Sequence, residues 1–133
     1  QTDLSVAQVR HVAGRRFLVG VSTHDLEQAR RARLDGADYC GVGPMFATNT
    51  KTIGALAGPA YLREYLAADP PLPAHLAIGG VTPVNVHALS DAGARGVAVS
   101  ARVCGASDPG PDAASLREAM DATLRRGSSA GAG

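Results

Sequence analysis

The sequence predicts an α/β chain of four strand–helix units around a parallel sheet. Three observations predict it. Short apolar runs alternate with amphipathic stretches of helical spacing. The runs are near-continuous rather than alternating, the pattern of strands covered on both faces. A Gly-Ala pair precedes two of them, Gly36-Ala37 and Gly93-Ala94, 57 positions apart, and the same offset pairs Val42 with Val99 and Gly43 with Ser100. Two units per period suit half of a (β/α)₈ barrel, and they suit a doubly wound sheet as well.

Each element follows in order. Val6 to Val12 reads as a helix, with Asp3 as its cap or as a hard oxygen ligand for a divalent ion. Phe17 to Ser22 is the first strand. Asp25 to Leu34 is helical, with Leu26, Ala29, Ala32 and Arg33 at three-to-four spacing and Thr23 or Asp25 as cap. Ala37 to Gly43 is the second strand, and a loop from Pro44 to Ala57 leads to a helix at about Gly58 to Ala67. Ala74 to Gly80 is the third strand. Pro83 to Ala92 is the next helix, with Thr82 as its cap and Pro83 at a tolerated first position. Gly96 to Ser100 is the fourth strand, and Asp112 caps a last helix running from Ala113 to about Arg126. Residues 1–126 form one domain and 127–133 (GSSAGAG) a flexible tail.

Composition excludes several functions. The chain has 133 residues, 45% apolar and 19% charged, which builds a core rather than a disordered coil. Aromatic residues are only 4% and Trp is absent, so stacking platforms for single-stranded nucleic acid are not expected. A net charge of +1 gives no polyanion or membrane surface as partner. No apolar stretch has membrane-spanning length and no signal peptide is visible, so a cytoplasmic location is expected. Cys40 and Cys104 read as small buried hydrophobes. The chain opens on Gln1 as if in the middle of a longer protein.

In parallel α/β folds chemistry collects where strands end. After the third strand comes Ile78-Gly79-Gly80-Val81-Thr82, where glycines and a helix start offer amides to phosphate; a plain tight turn is the other reading. After the fourth comes Val99-Ser100-Ala101, with a hydroxyl and an amide in the matching place. After the second comes a long loop with Thr48, Thr50 and Lys51, able to close as a lid over an anion or to stay an exposed polar loop. After the first come Ser22, aimed from the strand tip, and His24, either a ligand contact or a surface residue. No carboxylate is placed beside Ser22, so a nucleophile triad is unsupported. His11, His75 and His87 have no metal spacing.

These motifs together name a family. Gln1-x-Asp3-Leu4, Gly20-Val21-Ser22-Thr23-His24, Gly36-Ala37-Asp38-Tyr39, Gly41-Val42-Gly43-Pro44-Met45-Phe46, Thr48-x-Thr50-Lys51, Ala77-Ile78-Gly79-Gly80-Val81 and Gly96-Val97-Ala98-Val99-Ser100 resemble thiamine-phosphate synthase from Gln1 to about Ala101. The Thr-x-Thr-Lys loop separates that family from the related thiazole tautomerase, which shares the barrel. The resemblance implies the C-terminal half, about four units, of a phosphate-binding (β/α)₈ TIM barrel. It implies a transferase that joins hydroxymethylpyrimidine diphosphate to a thiazole phosphate, giving thiamine phosphate and pyrophosphate with Mg²⁺. Carried over by residue, Asp3 matches an Mg²⁺ ligand, and Ser22 and Lys51 match residues at the pyrimidine and diphosphate. Thr48, Thr50, Gly80, Val99 and Ser100 match the thiazole-phosphate site. The family's N-terminal half, with its Gln-x-Arg-x-Lys strand and Asn-Asp pair, has no counterpart in these residues. The expected partners are therefore small phosphorylated substrates, plus either a missing half or a second copy. A non-catalytic phosphate-binding half-barrel and a tautomerase-like protein are the alternative readings.

Overall fold

The computed structural model describes residues 4–47 and 56–130, with 123–130 by backbone alone. Its elements are α1 (Val6–Ala13), β1 (Gly20–Thr23), α2 (Leu26–Leu34), β2 (Tyr39–Val42), α3 (Gly58–Leu66), β3 (Ala74–Ile78), α4 (Val86–Asp91), β4 (Val97–Ala98), α5 (Ala101–Cys104) and α6 (Gly110–Ala130). The strands pair in parallel in the order β1-β2-β3-β4. Ser22 stands opposite Gly41, Gly41 opposite Leu76, and Ile78 opposite Ala98.

That order has a consequence for burial. A doubly wound sheet reverses its strand order. Here each strand follows its predecessor, and crossovers of one hand put the connecting helices on one face. Strand burial therefore alternates, which corrects the expectation of two covered faces. Thr23, Cys40, Val42 and Ala77 are fully buried against Ala29 and Ala32 of α2, Tyr61, Leu62 and Tyr65 of α3, and Val86 and Leu89 of α4. Burying Leu62 or Leu89 completely contributes about 2–3 kcal/mol each. Ser22, Leu76 and Ile78 occupy the other face and are exposed. The apolar runs are continuous because both faces carry apolar side chains, although helices cover only one.

Local chemistry sets the helix ends. Ser5 caps α1 in a reciprocal box with Gln8, so the cap is Ser5. Asp3 lies outside the described residues. Asp25 caps α2 by accepting from Gln28 N–H at 2.8 Å. The helix expected from Pro83 begins later, at Val86, because residues 82–85 form a turn in which Thr82 O accepts from the N–H groups of Asn85 and Val86. Asp112 lies inside α6 rather than before it; Asp108 instead accepts from Gly110 N–H at 3.0 Å. Asp112 pairs with Arg102 of α5, an element absent from the sequence reading. α6 runs to Ala130, past the expected end at Arg126, since residues 127–130 hold no proline to stop it. Cys40 is buried as expected, whereas Cys104 is exposed at the end of α5.

At the opposite edge, Arg10 of α1 binds Asp38 (2.5 Å) and the Phe17 carbonyl (2.5 Å). Asp38 also accepts from Val19 N–H at 2.6 Å. One carboxylate thus ties α1 to the starts of β1 and β2. The Val19 amide and the Arg10 guanidinium hold the Asp38 carboxyl below its ordinary value of 3.8.

Candidate functional site

Because the strands are parallel and in register, their four C-terminal tips lie along one edge. The tips of β1 and β2 are bonded together. Gly43 N–H donates to Thr23 O at 3.1 Å, and His24 Nδ1 lies 2.5 Å from Gly43 O. From below, the buried Tyr61 hydroxyl donates to Asp25 O at 2.8 Å and lies 2.9 Å from Thr23 Oγ1, whose proton it accepts. Burial pushes the Tyr61 phenol up to about 12, so it stays a neutral donor.

The loop after β2 closes on itself. Pro44 O accepts from both Ala57 N–H (3.1 Å) and Gly58 N–H (3.2 Å), so the two ends of the 45–56 segment meet. The neck also rests on β3: Met45 N–H donates to Ile78 O and Phe46 N–H to Gly79 O, each at 3.0 Å. Thr48, Thr50 and Lys51 belong to this loop and lie outside the described residues, as does Asp3.

The glycines here are demanded by close backbone approach. A Cβ on Gly43 would lie 2.0 Å from Ile78 O. Gly80 has φ +65, and a Cβ there would lie 2.4 Å from Ala47 O. The Gly79-Gly80 turn therefore has a packing reason of its own, besides any ligand. Asn85, which the sequence reading passed over, pins it: Nδ2 donates to Gly80 O at 2.9 Å and Oδ1 accepts from Thr82 N–H at 2.8 Å. An Asn three residues after a Gly-Gly-Val-Thr turn is a visible side-chain turn signal.

Gly80 and Ser100 each stand two residues beyond the paired Ile78 and Ala98, so they end neighbouring strands at one level. Among the described residues, the N–H groups of Gly80 and Ser100 meet no hydrogen-bond acceptor. Backbone N–H groups at strand ends are donors of the kind that hold phosphate oxygens. Val99 packs its side chain against the core and offers only backbone here. The Arg102–Asp112 pair fixes α5, whose N-cap is Ser100, against α6.

Ser22 lies on the open face. Its Oγ is 3.8 Å from where a Cβ on Gly41 would stand, and Ile78 Cγ2 is equally close from the other side. The absent side chain leaves a shallow floor between them. A cavity of about 550 Å³ is lined by Leu4, Ser5, Val21, Ser22, Asp25 and Gln28 among others, at the outer edge of β1. It reaches Ser22 and not Gly80 or Ser100. Among the described residues no three His, Cys, Asp or Glu side chains come together as a metal site. Among the described residues no helix is long and apolar enough to cross a membrane.

Comparison with known proteins places this geometry. The thiamine monophosphate synthase family model matches residues 1–103. Thiamine-phosphate synthase of Geobacillus kaustophilus is 40% identical over 127 residues, covering 95% of this chain and 57% of that protein. The enzyme of the same name from Gloeobacter violaceus is 40% identical over 122 residues, covering 91% of this chain and 35% of that protein. In structure, the chain resembles thiamine phosphate pyrophosphorylase of Pyrococcus furiosus with a TM-score of 0.78 and 28% identity, covering 92% of this chain and 57% of that one. The chain thus spans between about a third and little more than half of these relatives.

Proposed function

The chain belongs to the thiamine monophosphate synthase family, and from that premise we propose that it is the phosphate-binding, C-terminal part of a (β/α)₈ enzyme of thiamine biosynthesis. The whole protein would couple 4-amino-2-methyl-5-hydroxymethylpyrimidine diphosphate to 4-methyl-5-(2-phosphoethyl)thiazole. The single observation that carries the reading is the pair of neighbouring strand ends leading to Gly80 and Ser100, whose N–H groups lack acceptors among the described residues, with Gly80 packed on the neck of the Lys51 loop at Ala47. The exposed face with Ser22, Leu76 and Ile78 fits the inside of a barrel whose other strands lie elsewhere.

In this reading the thiazole phosphate sits on the backbone of Gly80, Val99 and Ser100, with Thr48 and Thr50 closing over it. Lys51 and Ser22 serve the diphosphate end. The bond between the pyrimidine methylene and diphosphate oxygen breaks, its electron pair leaving with pyrophosphate. The methylene cation is stabilised by the aminopyrimidine ring, and the thiazole nitrogen captures it with its lone pair. Lys51 stabilises the charge that develops on the leaving group, and the phosphate site positions the nucleophile. No proton need be removed by a triad in this step. The family's Mg²⁺ belongs to the same reading, with Asp3 as one oxygen ligand. One carboxylate is by itself a poor Mg²⁺ site, and no step here is routed through the ion. A cytoplasmic location fits soluble phosphorylated substrates.

A coupling assay with both phosphorylated precursors and Mg²⁺ tests the reading, run on this chain and on one extended at its N-terminus. The expected result is thiamine phosphate formation by the extended chain. No product from it, at any precursor concentration, removes the synthase reading and leaves a phosphate-binding half-barrel.

A further inference from the structure

Both polar groups of Gly43 are held by the tip of β1, one by backbone and one by a side chain. The N–H donates to Thr23 O at 3.1 Å, and the carbonyl lies 2.5 Å from His24 Nδ1. A carbonyl can only accept, so Nδ1 carries a proton. His24 is itself anchored, since its own N–H donates to Gln28 Oε1 of α2 at 3.0 Å. Gly43 leads directly into Pro44, whose carbonyl accepts from Ala57 N–H and Gly58 N–H where the two ends of the loop meet. The bonds that seat the neck on β3, from Met45 and Phe46, are backbone to backbone. Among the described residues, His24 supplies the side-chain hydrogen bond that orients the Gly43–Pro44 peptide.

We propose that His24 is a positioning residue. Through Nδ1–H it fixes where the loop bearing Thr48, Thr50 and Lys51 leaves the sheet relative to Ser22. That this neck borders a phosphate-ester site rests on the synthase reading; the contact and its effect on the neck do not. A ring acting this way differs from one that touches substrate, because its working atom is Nδ1.

Substitution separates the two. Asparagine places an amide nitrogen near the position of Nδ1, and glutamine places one near Nε2. In the 133-residue chain, amide exchange at Met45 and Phe46 is compared among the parent, His24→Ala, His24→Gln and His24→Asn. The expected result is exchange about fivefold faster in the Ala and Gln variants, and within about twofold of the parent in Asn, the scale of one hydrogen bond. Unchanged exchange in the Ala variant overturns the proposal. So does rescue by Gln in place of Asn. Long-range ¹H–¹⁵N correlation of the parent is expected to show the Nδ1–H tautomer, and the Nε2–H tautomer overturns the assignment. In the extended chain, the Ala and Gln variants are expected to raise KM for the thiazole phosphate more than they lower kcat, with Asn restoring it. The exchange measurement decides the role of His24 whatever the coupling assay returns. An inactive extended parent counts against the synthase reading alone.

Discussion

A Cβ on Gly80 would stand 2.4 Å from the carbonyl oxygen of Ala47, so the turn after β3 and the loop after β2 meet backbone to backbone. Gly80→Ala therefore combines a left-handed φ of +65 with overpacking. The expected loss is about 2–3 kcal/mol of unfolding free energy. Gly36→Ala is the control: φ is +80, yet nothing lies within 4 Å of the new Cβ. Its cost should stay near about 1 kcal/mol. Urea unfolding of both variants measures the difference, and equal losses would show that the contact with Ala47 contributes nothing.

The Tyr61 hydroxyl joins α3 to the tip of β1 through Asp25 O and Thr23 Oγ1. Tyr61→Phe keeps the ring and leaves those two groups short of a partner in a buried place. The expected destabilisation is about 1–2 kcal/mol by denaturant titration. A value near zero would mean that water satisfies both groups.

Asp38 predicts a pH dependence. Its carboxyl is held below 3.8 by Val19 N–H and Arg10. The folded state thus binds the proton less readily than the unfolded chain. The stability it contributes is complete above the unfolded value and is lost as pH falls through the folded one. Unfolding midpoints followed downward from pH 5 should drop for the parent, and the drop should be smaller for Asp38→Asn. Parallel profiles for the two proteins would remove Asp38 as a source.

At the proposed phosphate site, Ser100→Pro deletes the N–H and draws φ from −132 toward about −65. Ser100→Ala deletes only the hydroxyl. In an extended, active protein the proline variant is expected to raise KM for the thiazole phosphate at least about tenfold, and the alanine variant far less. Lys51→Ala should instead lower kcat by about 100-fold, since it serves the departing charge. Unchanged kinetics in both Ser100→Pro and Lys51→Ala would dissolve the assigned site.

By itself the sequence determined the strand–helix alternation, the parallel sheet and the strand ends where chemistry gathers. Those rest on local periodicity and on glycines, which need no distant partner to be read. It also carried the family, since Ser22, Gly80 and Ser100 stand in motifs whose spacing survives in one dimension. Tertiary structure alone decided the rest. That Ser22, Leu76 and Ile78 face an uncovered side follows from strand order, which no local run encodes. That Gly43 is held by His24, that Asn85 pins Gly80, and that Pro44 closes a loop with Ala57 and Gly58 depend on which strand tips become neighbours. A hydrogen bond is a relation of position at about 3 Å, and only the folded register brings those groups within it.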